Sequence, residues 1–161
     1  MSNIDCQKIL NSSLGRDLTL DDCAVLSSIV EFKQLADEDI LFKAGDKTDS
    51  LYVIVSGKIN VTKDKILPDY MVLHTLQPGD MAGEMSFVDG NTHSLTLRAH
   101  GNCELMTIQR DAFEQLLLTN PHVVYHVMRA ITRSIHTTVK RMNDQFIELN
   151  RFINNEYMQA Y

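Results

Sequence analysis

Residues 79–99 read Gly-Asp-Met-Ala-Gly-Glu-Met-Ser-Phe-Val-Asp-Gly-Asn-Thr-His-Ser-Leu-Thr-Leu-Arg-Ala, and they are the most informative part of the sequence. In order along the chain, the pattern predicts a first turn, then a second turn that is short and apolar after Gly83-Glu84, then a polar loop and finally a strand. Glycine at position 83 lets the backbone approach a ligand, and the free N–H groups that open the Glu84–Val88 turn form a cradle for an anion. Because the Glu84 carboxylate would repel a bare phosphate, the pattern favours a ligand with both a phosphate and a hydroxyl donor.

Short strands surround this stretch between Val30 and Ile108. Turn signals separate them, including Ser56-Gly57, residues 65–69 and Pro78-Gly79. Many short strands at near-regular spacing predict a β-sandwich or β-roll. The predicted strands are 32–35, 40–42, 51–55, 58–61, 72–76, 94–99 and 104–108.

Helical periodicity on both sides of the strands predicts flanking helices. Thr19 is placed to cap a helix over residues 20–28, and Asn120-Pro121 opens the last helix, where proline needs no N–H. The inward face of the 20–28 helix is predicted to carry Leu20, Ala24 and Leu26. We therefore predict an α+β fold with a helical segment over 1–29, an antiparallel β-roll over 30–119 and a long C-terminal helix over 120–161.

An apolar stripe runs along the C-terminal helix in steps of three and four residues, with one step of seven. Such a seam predicts a coiled-coil partner. Its early turns can pack on the roll, but its last residues lie beyond the reach of a small roll, and a second copy is the simplest partner. We predict a parallel homodimer with Thr138 as the one polar seam residue and an interface of Met128, Ile131, Ile135, Met142, Leu149 and Ile153.

Charge and cysteine content argue against several classes of protein. The net charge is −6, and residues 1–120 carry 10 Lys and Arg against 18 Asp and Glu, which disfavours contact with nucleic acid. No signal-peptide pattern or membrane-spanning apolar run is present, so we expect a cytoplasmic protein without a membrane partner. Three scattered cysteines predict reduced thiols rather than a disulfide framework; they are Cys6, Cys23 and Cys103.

Enzyme chemistry is not indicated by any motif. The six histidines contain no His-x-His pattern of the kind that β-roll cupin enzymes use for a metal. His122 and His126 are four residues apart, but no glutamate lies between them in the metalloprotease pattern, so we interpret both as surface residues. We predict no catalytic residues, no metal and no cofactor.

Residues 20–142 resemble the cyclic-nucleotide-binding domain of the catabolite-activator family. The resemblance is most specific at Gly79-Asp80 followed by Gly83-Glu84. It implies the jelly-roll-like cyclic-nucleotide-binding fold and a non-enzymatic regulatory sensor of cyclic AMP or cyclic GMP. In the family, ligand binding reorients the long helix. Residues 143–161 are too short for the helix-turn-helix domain of the family's transcription factors, so we expect output through a partner protein or through a domain outside this sequence.

The resemblance also assigns roles to individual residues. Glu84 is expected to accept the ribose 2′-hydroxyl, Ser94 to offer its N–H to a phosphate oxygen, and Thr138 to contact the base. Backbone N–H groups expected to face the phosphate belong to Gly83, Glu84, Met85 and Ser86. The apolar wall around the base is expected to contain Val61, Leu73, Leu76 and Leu97.

His93 stands where the family's cassette has a phosphate-pairing arginine. Arginine gives two charged hydrogen bonds, whereas a histidine gives one and is largely neutral at pH 7. Losing a charge-assisted bond costs about 1.5–3 kcal/mol, which weakens a site without necessarily abolishing it. His93 could partly neutralise Glu84 instead. Two alternatives stay open: a ligand-free interaction scaffold with a degenerate cassette, and a binder of a cyclic dinucleotide elsewhere on the roll.

Overall fold

The structure is a computed structural model that describes residues 3–64 and 70–159. Within these residues, six antiparallel strands form one sheet. The strands are β1 (Val30–Leu35), β2 (Ile40–Phe42), β3 (Ser50–Asp64), β4 (Tyr70–Leu76), β5 (Met81–Ala82) and β6 (Thr96–Gln109). The helices are α1 (Asn3–Leu10), α2 (Leu20–Ser27), α3 (Glu84–Asp89), α4 (Arg110–Thr119) and α5 (Pro121–Gln159), with a 3-10 turn at Gly15–Asp17.

The sheet has the order β1-β6-β3-β4, with β2 paired to β6 and β5 paired to β3. The two long strands β3 and β6 pair from Ser50 opposite Gln109 to Thr62 opposite Thr96. This arrangement confirms the predicted antiparallel roll with N-terminal helices and a long C-terminal helix. The predicted turn at 65–69 lies outside the described residues.

The prediction of a turn at Ser56-Gly57 is wrong, because residues 50–64 form one strand. The register between β3 and β6 shifts around Ser56, so Gly57 lies in a β-bulge. Gly57 has φ +80°, and a Cβ there would lie 2.4 Å from the Asn102 carbonyl oxygen. The glycine therefore lies in a bulge of one continuous strand where we predicted a turn between two strands. The predicted strands 94–99 and 104–108 are likewise one strand, β6.

Two apolar clusters fill the molecule. The cluster inside the roll includes Leu35, Phe42, Ile54, Ile59, Leu97 and Leu105. The second cluster joins the N-terminal helices to α4 and the first half of α5, and includes Ile9, Leu14, Leu26, Phe113, Val123, Val127 and Ile131. Because each fully buried aliphatic side chain contributes about 1.5–3 kcal/mol, the second cluster fixes the base of α5 on the body of the domain.

Thr19 caps α2 as predicted, through a reciprocal capping box with Asp22. The predicted inward face is wrong in part, because Leu20 is 72% exposed and Ala24 is also exposed. The capping box and the contacts of Asp22 with α5 turn a different face of α2 toward the core from the one that we predicted. The buried residues of α2 are Asp22, Cys23 and Leu26.

The prediction of reduced thiols is wrong for two of the three cysteines. Cys6 on α1 and Cys23 on α2 form a disulfide, with their Cα atoms 5.5 Å apart. The two residues are distant in sequence but meet because α1 and α2 pack in the same cluster. Cys103 is buried and free.

Helix α5 begins at Pro121, as predicted, and continues without interruption to Gln159. Ile131 is 1% exposed, and Met128 and Ile135 pack on the same core cluster. Ile131 is therefore covered by the chain's own core, whereas Met128 and Ile135 keep part of their surface exposed, and the predicted contact of these residues with a second copy stays a prediction. The remaining seam residues are exposed: Met142, Leu149 and Ile153. No helix in the described part of the chain has the length and apolar character needed to span a membrane.

Candidate functional site

The cassette runs from Gly83 to Ser94, between β5 and β6. Gly83 is the N-cap of α3 with φ 76°, and its carbonyl accepts the Phe87 N–H at 2.9 Å. The N–H groups of the first turn of α3 therefore have no partner within the helix. A Cβ at position 83 would lie 3.0 Å from the Ser50 carbonyl oxygen. Glycine is thus needed where the cassette passes close to β3.

The Glu84 side chain faces α5. It is half-buried, and its Oε1 accepts a hydrogen bond of 3.1 Å from Ser134 Oγ. Burial raises the pKa of the Glu84 carboxyl, bonds from its own N–H and from Ser134 oppose that shift, and the nearby Asp80 charge adds to it. A partly desolvated carboxylate with few donors gains from a further hydroxyl donor, because unsatisfied buried charge is costly.

Three of the four residues of the predicted apolar wall lie together in the structure. Leu97 is 5% exposed, and Val61 and Leu76 pack against the cluster inside the roll. Leu73 is 43% exposed and does not join them. Thr138 is half-buried one turn beyond Ser134 on α5. Two predicted residues of the cassette are exposed, Met85 and Ser94.

The comparisons with known proteins agree with this geometry. The sequence profile of the cyclic nucleotide-binding domain matches residues 32–120. The chain belongs to this family. A cyclic nucleotide-binding domain from Methylobacillus flagellatus has a similar solved structure, with a TM-score of 0.82, 23% sequence identity, and coverage of 89% of this chain and 83% of that one.

Two curated relatives show how the domain is used in longer chains. The cAMP-activated global transcriptional regulator CRP of Pasteurella multocida is 29% identical over 105 residues, which are 65% of this chain and 50% of that protein. Patatin-like phospholipase domain-containing protein 7 of Rattus norvegicus is 28% identical over 128 residues, which are 78% of this chain and 9% of that protein. The chain thus spans half or less of each relative.

In this cyclic nucleotide-binding domain, His93 is engaged with the loop after β2. Its Nε2 lies 2.8 Å from Thr48 Oγ1, and its ring stacks on Phe42 with 3.6 Å between ring centroids. Burial lowers the pKa of His93, and the Asp46 charge opposes that shift. Since His93 bonds Thr48 and Glu84 bonds Ser134, the structure does not pair His93 with Glu84. The contact of His93 with a phosphate stays a prediction.

Ser86 is buried beneath the cassette. Its Oγ lies 2.6 Å from the Asn91 carbonyl oxygen and 3.1 Å from that of Thr48. The hydroxyl therefore joins the cassette loop to the loop after β2, and only the backbone N–H of Ser86 is left to meet a ligand.

Arg110 holds the other end of α3, and no local pattern of residues indicates this role. Its Nε donates to the Phe87 carbonyl oxygen at 2.7 Å, its guanidinium also bonds the Ser86 carbonyl oxygen, and it pairs with Asp49 at 2.9 Å. A cation at the C-terminal end of a helix interacts favourably with the helix dipole. Arg110 thereby fixes the cassette against β6 and α4.

His122 is exposed, as predicted, whereas His126 is half-buried, and both contact one buried carboxylate. Asp22, whose side chain is 2% exposed, contacts His122 Nε2 at 2.9 Å and His126 Nδ1 at 3.3 Å. Burial raises the pKa of Asp22, but bonds from Thr19 and the two histidines outweigh this and leave the pKa below its ordinary value. The group ties α2 to the first turns of α5. Among the described residues, no set of three ligating side chains could hold a metal ion.

Proposed function

We propose that this domain is a non-enzymatic sensor that binds a cyclic purine nucleotide, cyclic AMP or cyclic GMP, between its cassette and α5. The observation that carries the proposal is the Glu84 carboxylate, which faces α5 beside the N–H groups of the first turn of α3. A ribose hydroxyl would donate to Glu84, and the cyclic phosphate would accept from those N–H groups. The name of the Pasteurella relative, a cAMP-activated regulator, supports this ligand class.

We propose that the signal leaves through α5. Because Ser134 donates to Glu84, a ribose hydroxyl at the carboxylate would compete with Ser134 and alter the contact between α5 and the cassette. The exposed Met142, Leu149 and Ile153 would form a parallel homodimer, and that dimer would act on a protein partner rather than on nucleic acid or a membrane.

Titration calorimetry with cyclic AMP and cyclic GMP tests the ligand and the role of Glu84 together. We expect the wild type to bind, and Glu84→Gln to bind about tenfold or more weakly, because a bond to a charged acceptor is lost. The melting temperature should barely move, since glutamine keeps an acceptor for Ser134. Glu114→Gln is the matched control, because Glu114 is exposed on α4. Affinity that is equal in Glu84→Gln and the wild type would contradict the assignment.

A ligand-free scaffold is the second candidate, and the engagement of His93 with Phe42 and Thr48 favours it. His93→Arg separates the two functions. If the wild type binds neither nucleotide and His93→Arg binds one, the cassette is degenerate and the domain is a scaffold. If His93 contacts the phosphate, wild-type binding should instead be strongest below the pKa of His93 in the free protein, which burial holds under its ordinary value of 6.5, and should weaken as pH rises through the bound-state pKa, because the phosphate favours the imidazolium. His93→Arg should remove that dependence.

A further inference from the structure

A buried carboxylate joins α2 to the first turns of α5. The Asp22 side chain is 2% exposed, its Oδ1 lies 2.9 Å from His122 Nε2, and its Oδ2 lies 3.3 Å from His126 Nδ1. Oδ2 also accepts the Thr19 N–H at 2.9 Å. The two histidines are four residues apart on α5, so both imidazoles reach the same carboxylate. We call the side chains of Asp22, His122 and His126 the carboxylate clamp.

The carboxylate clamp contains no permanent positive charge. Among the described residues, the Asp22 carboxylate is contacted by the Thr19 N–H and the two imidazoles, and by no lysine or arginine. An ionised carboxylate is costly to bury unless a cation offsets its charge. Within the described structure, only His122 and His126 are placed to supply that cation.

The other titratable side chains described around the carboxylate clamp are exposed or paired with each other. Those that are exposed are Arg16 on the 3-10 turn, Asp21 on α2, Asp111 and Glu114 on α4, and Tyr125 and Arg129 on α5. Those that are paired are Asp17 with Arg133 of α5, and Lys8 of α1 with Glu104 of β6. The charge of the two imidazoles therefore decides how strongly Asp22 is held.

Protonation of an imidazole changes the strength of its contact with Asp22. A neutral imidazole has one N–H and can donate it to the carboxylate, so the contacts exist when both histidines are neutral. An imidazolium donates the same N–H in a charge-assisted bond, which is roughly twice as strong as a neutral one. Histidine is the side chain whose charge ordinarily changes between about pH 5 and 8. The contacts should thus be stronger in mildly acidic solution than at pH 8.

We propose that the carboxylate clamp is a proton-operated device: a proton taken up by His122 or His126 fastens α2 to the base of α5, and its release loosens that contact. The proposal goes beyond the nucleotide sensor and needs no nucleotide. It gives α5 a second input, because the carboxylate clamp holds the end of the helix that packs in the core cluster of the N-terminal helices.

The pH range of the device follows from its parts. Burial raises the pKa of Asp22, but the bonds from Thr19 and the histidines outweigh this and keep the folded-state pKa below 3.8. The carboxylate is therefore ionised above that pH. The extra contribution of a charged imidazole is present in mildly acidic solution and is lost as pH rises through the range in which histidine releases its proton.

Urea unfolding at pH 5.5 and at pH 8 tests the proposal. The informative variants are His122→Gln and His126→Asn, because their amides place a neutral N–H donor near the positions of Nε2 and Nδ1. Each variant thus imitates the neutral imidazole at both pH values. We expect the ratio of the variant's equilibrium constant of unfolding to that of the wild type to be about five- to tenfold larger at pH 5.5 than at pH 8, the difference between a charged and a neutral hydrogen bond.

Two controls accompany these variants. His136→Gln makes the same change at an exposed position of α5, and its ratio should be equal at the two pH values. In an Asp22→Asn background, His122→Gln and His126→Asn should give ratios that no longer change with pH, because the charged partner is gone. All samples have the same protein concentration, so that any self-association affects them equally.

Two results would overturn the proposal. One is a ratio for both histidine variants that is the same at pH 5.5 and pH 8; the other is a pH-dependent ratio that persists in the Asp22→Asn background. The His122 side chain is 60% exposed, so His122→Gln should fold and decide the first point even if Asp22→Asn does not fold. No nucleotide is present in these measurements, so either result leaves the cyclic-nucleotide sensor standing, and a failure of both nucleotides to bind leaves the carboxylate clamp standing.

Discussion

Replacing Asp22 with asparagine tests whether one buried carboxylate holds the base of α5 to the N-terminal helices. The carboxylate contacts His122 Nε2 at 2.9 Å and His126 Nδ1 at 3.3 Å, and it accepts the Thr19 N–H at 2.9 Å. Asparagine keeps the shape of the side chain but exchanges one acceptor oxygen for an NH₂ donor. One of these three contacts must then be lost or face a donor.

We expect Asp22→Asn to lower the free energy of unfolding by about 1.5–3 kcal/mol, the usual contribution of one hydrogen bond to a charged acceptor. The bond from the backbone N–H of residue 22 to the Thr19 hydroxyl is kept. At about 2–4 °C per kcal/mol for a domain of this size, the melting temperature should fall by roughly 3–12 °C. Urea unfolding followed by circular dichroism measures the loss directly.

The pH dependence has a definite sign. Because the folded-state pKa of Asp22 lies below its ordinary value of 3.8, its stabilising contribution is present above that value and is lost as pH falls through the folded-state pKa. The difference between the wild type and Asp22→Asn should therefore narrow as pH falls below about 4.

Asp21→Asn is the matched control, since Asp21 lies in the same helical turn but is exposed. Its effect should stay within about 0.5 kcal/mol, as is usual for surface substitutions. Equal effects of the two substitutions at pH 7 would refute the idea that Asp22 connects α2 to α5.

Three other experiments test separate parts of the structure. Met142→Glu combined with Leu149→Glu should give a monomer in light scattering, whereas the wild type should have twice the 18.3 kDa chain mass; a monomeric wild type would rule out the homodimer. Gly57→Ala should lower the free energy of unfolding by more than about 2 kcal/mol. The loss should exceed that of Gly101→Ala, because Gly101 also has a positive φ but a Cβ there would meet no neighbouring atom. Equal losses would show that the bulge tolerates a side chain. A reductant should lower the free energy of unfolding of the wild type by about 3 kcal/mol, because it opens a bridge that spans 17 residues. The free energy of unfolding of Cys6→Ser should not change with the reductant. If the reductant leaves the wild type unchanged as well, the two thiols are reduced.

The fold could be predicted where its determinants are local. The Thr19 cap and the Pro121 helix start depend on residues a few positions apart, and the structure has both. The near-regular spacing of short strands and turn signals likewise predicted the roll. Local signals failed at Gly57, because a positive φ serves a turn and a bulge equally well.

The contacts that determine the candidate site are mostly long-range, and sequence spacing does not encode them. Ser134 meets Glu84 across 50 residues, and His126 meets Asp22 across 104. Arg110 supports α3 from a position 23 residues beyond Phe87. Each of these contacts depends on how α4 and α5 pack on the body of the domain. Glu84 could be singled out early because its signal, the glycine before it, is adjacent in sequence.

The free end of α5 makes the helix a lever. Its base is clamped by the core around Ile131 and by the Asp22 contacts, and it leaves the roll after Arg141. At about 1.5 Å per residue, the stretch 142–159 projects about 27 Å from that fulcrum. A tilt of about 10° would swing the far tip by about 5 Å, although the side chains at the fulcrum would move by only a fraction of that. A small displacement of α5 at Ser134 would thus become, at the far end of the helix, a movement about as long as one helical turn.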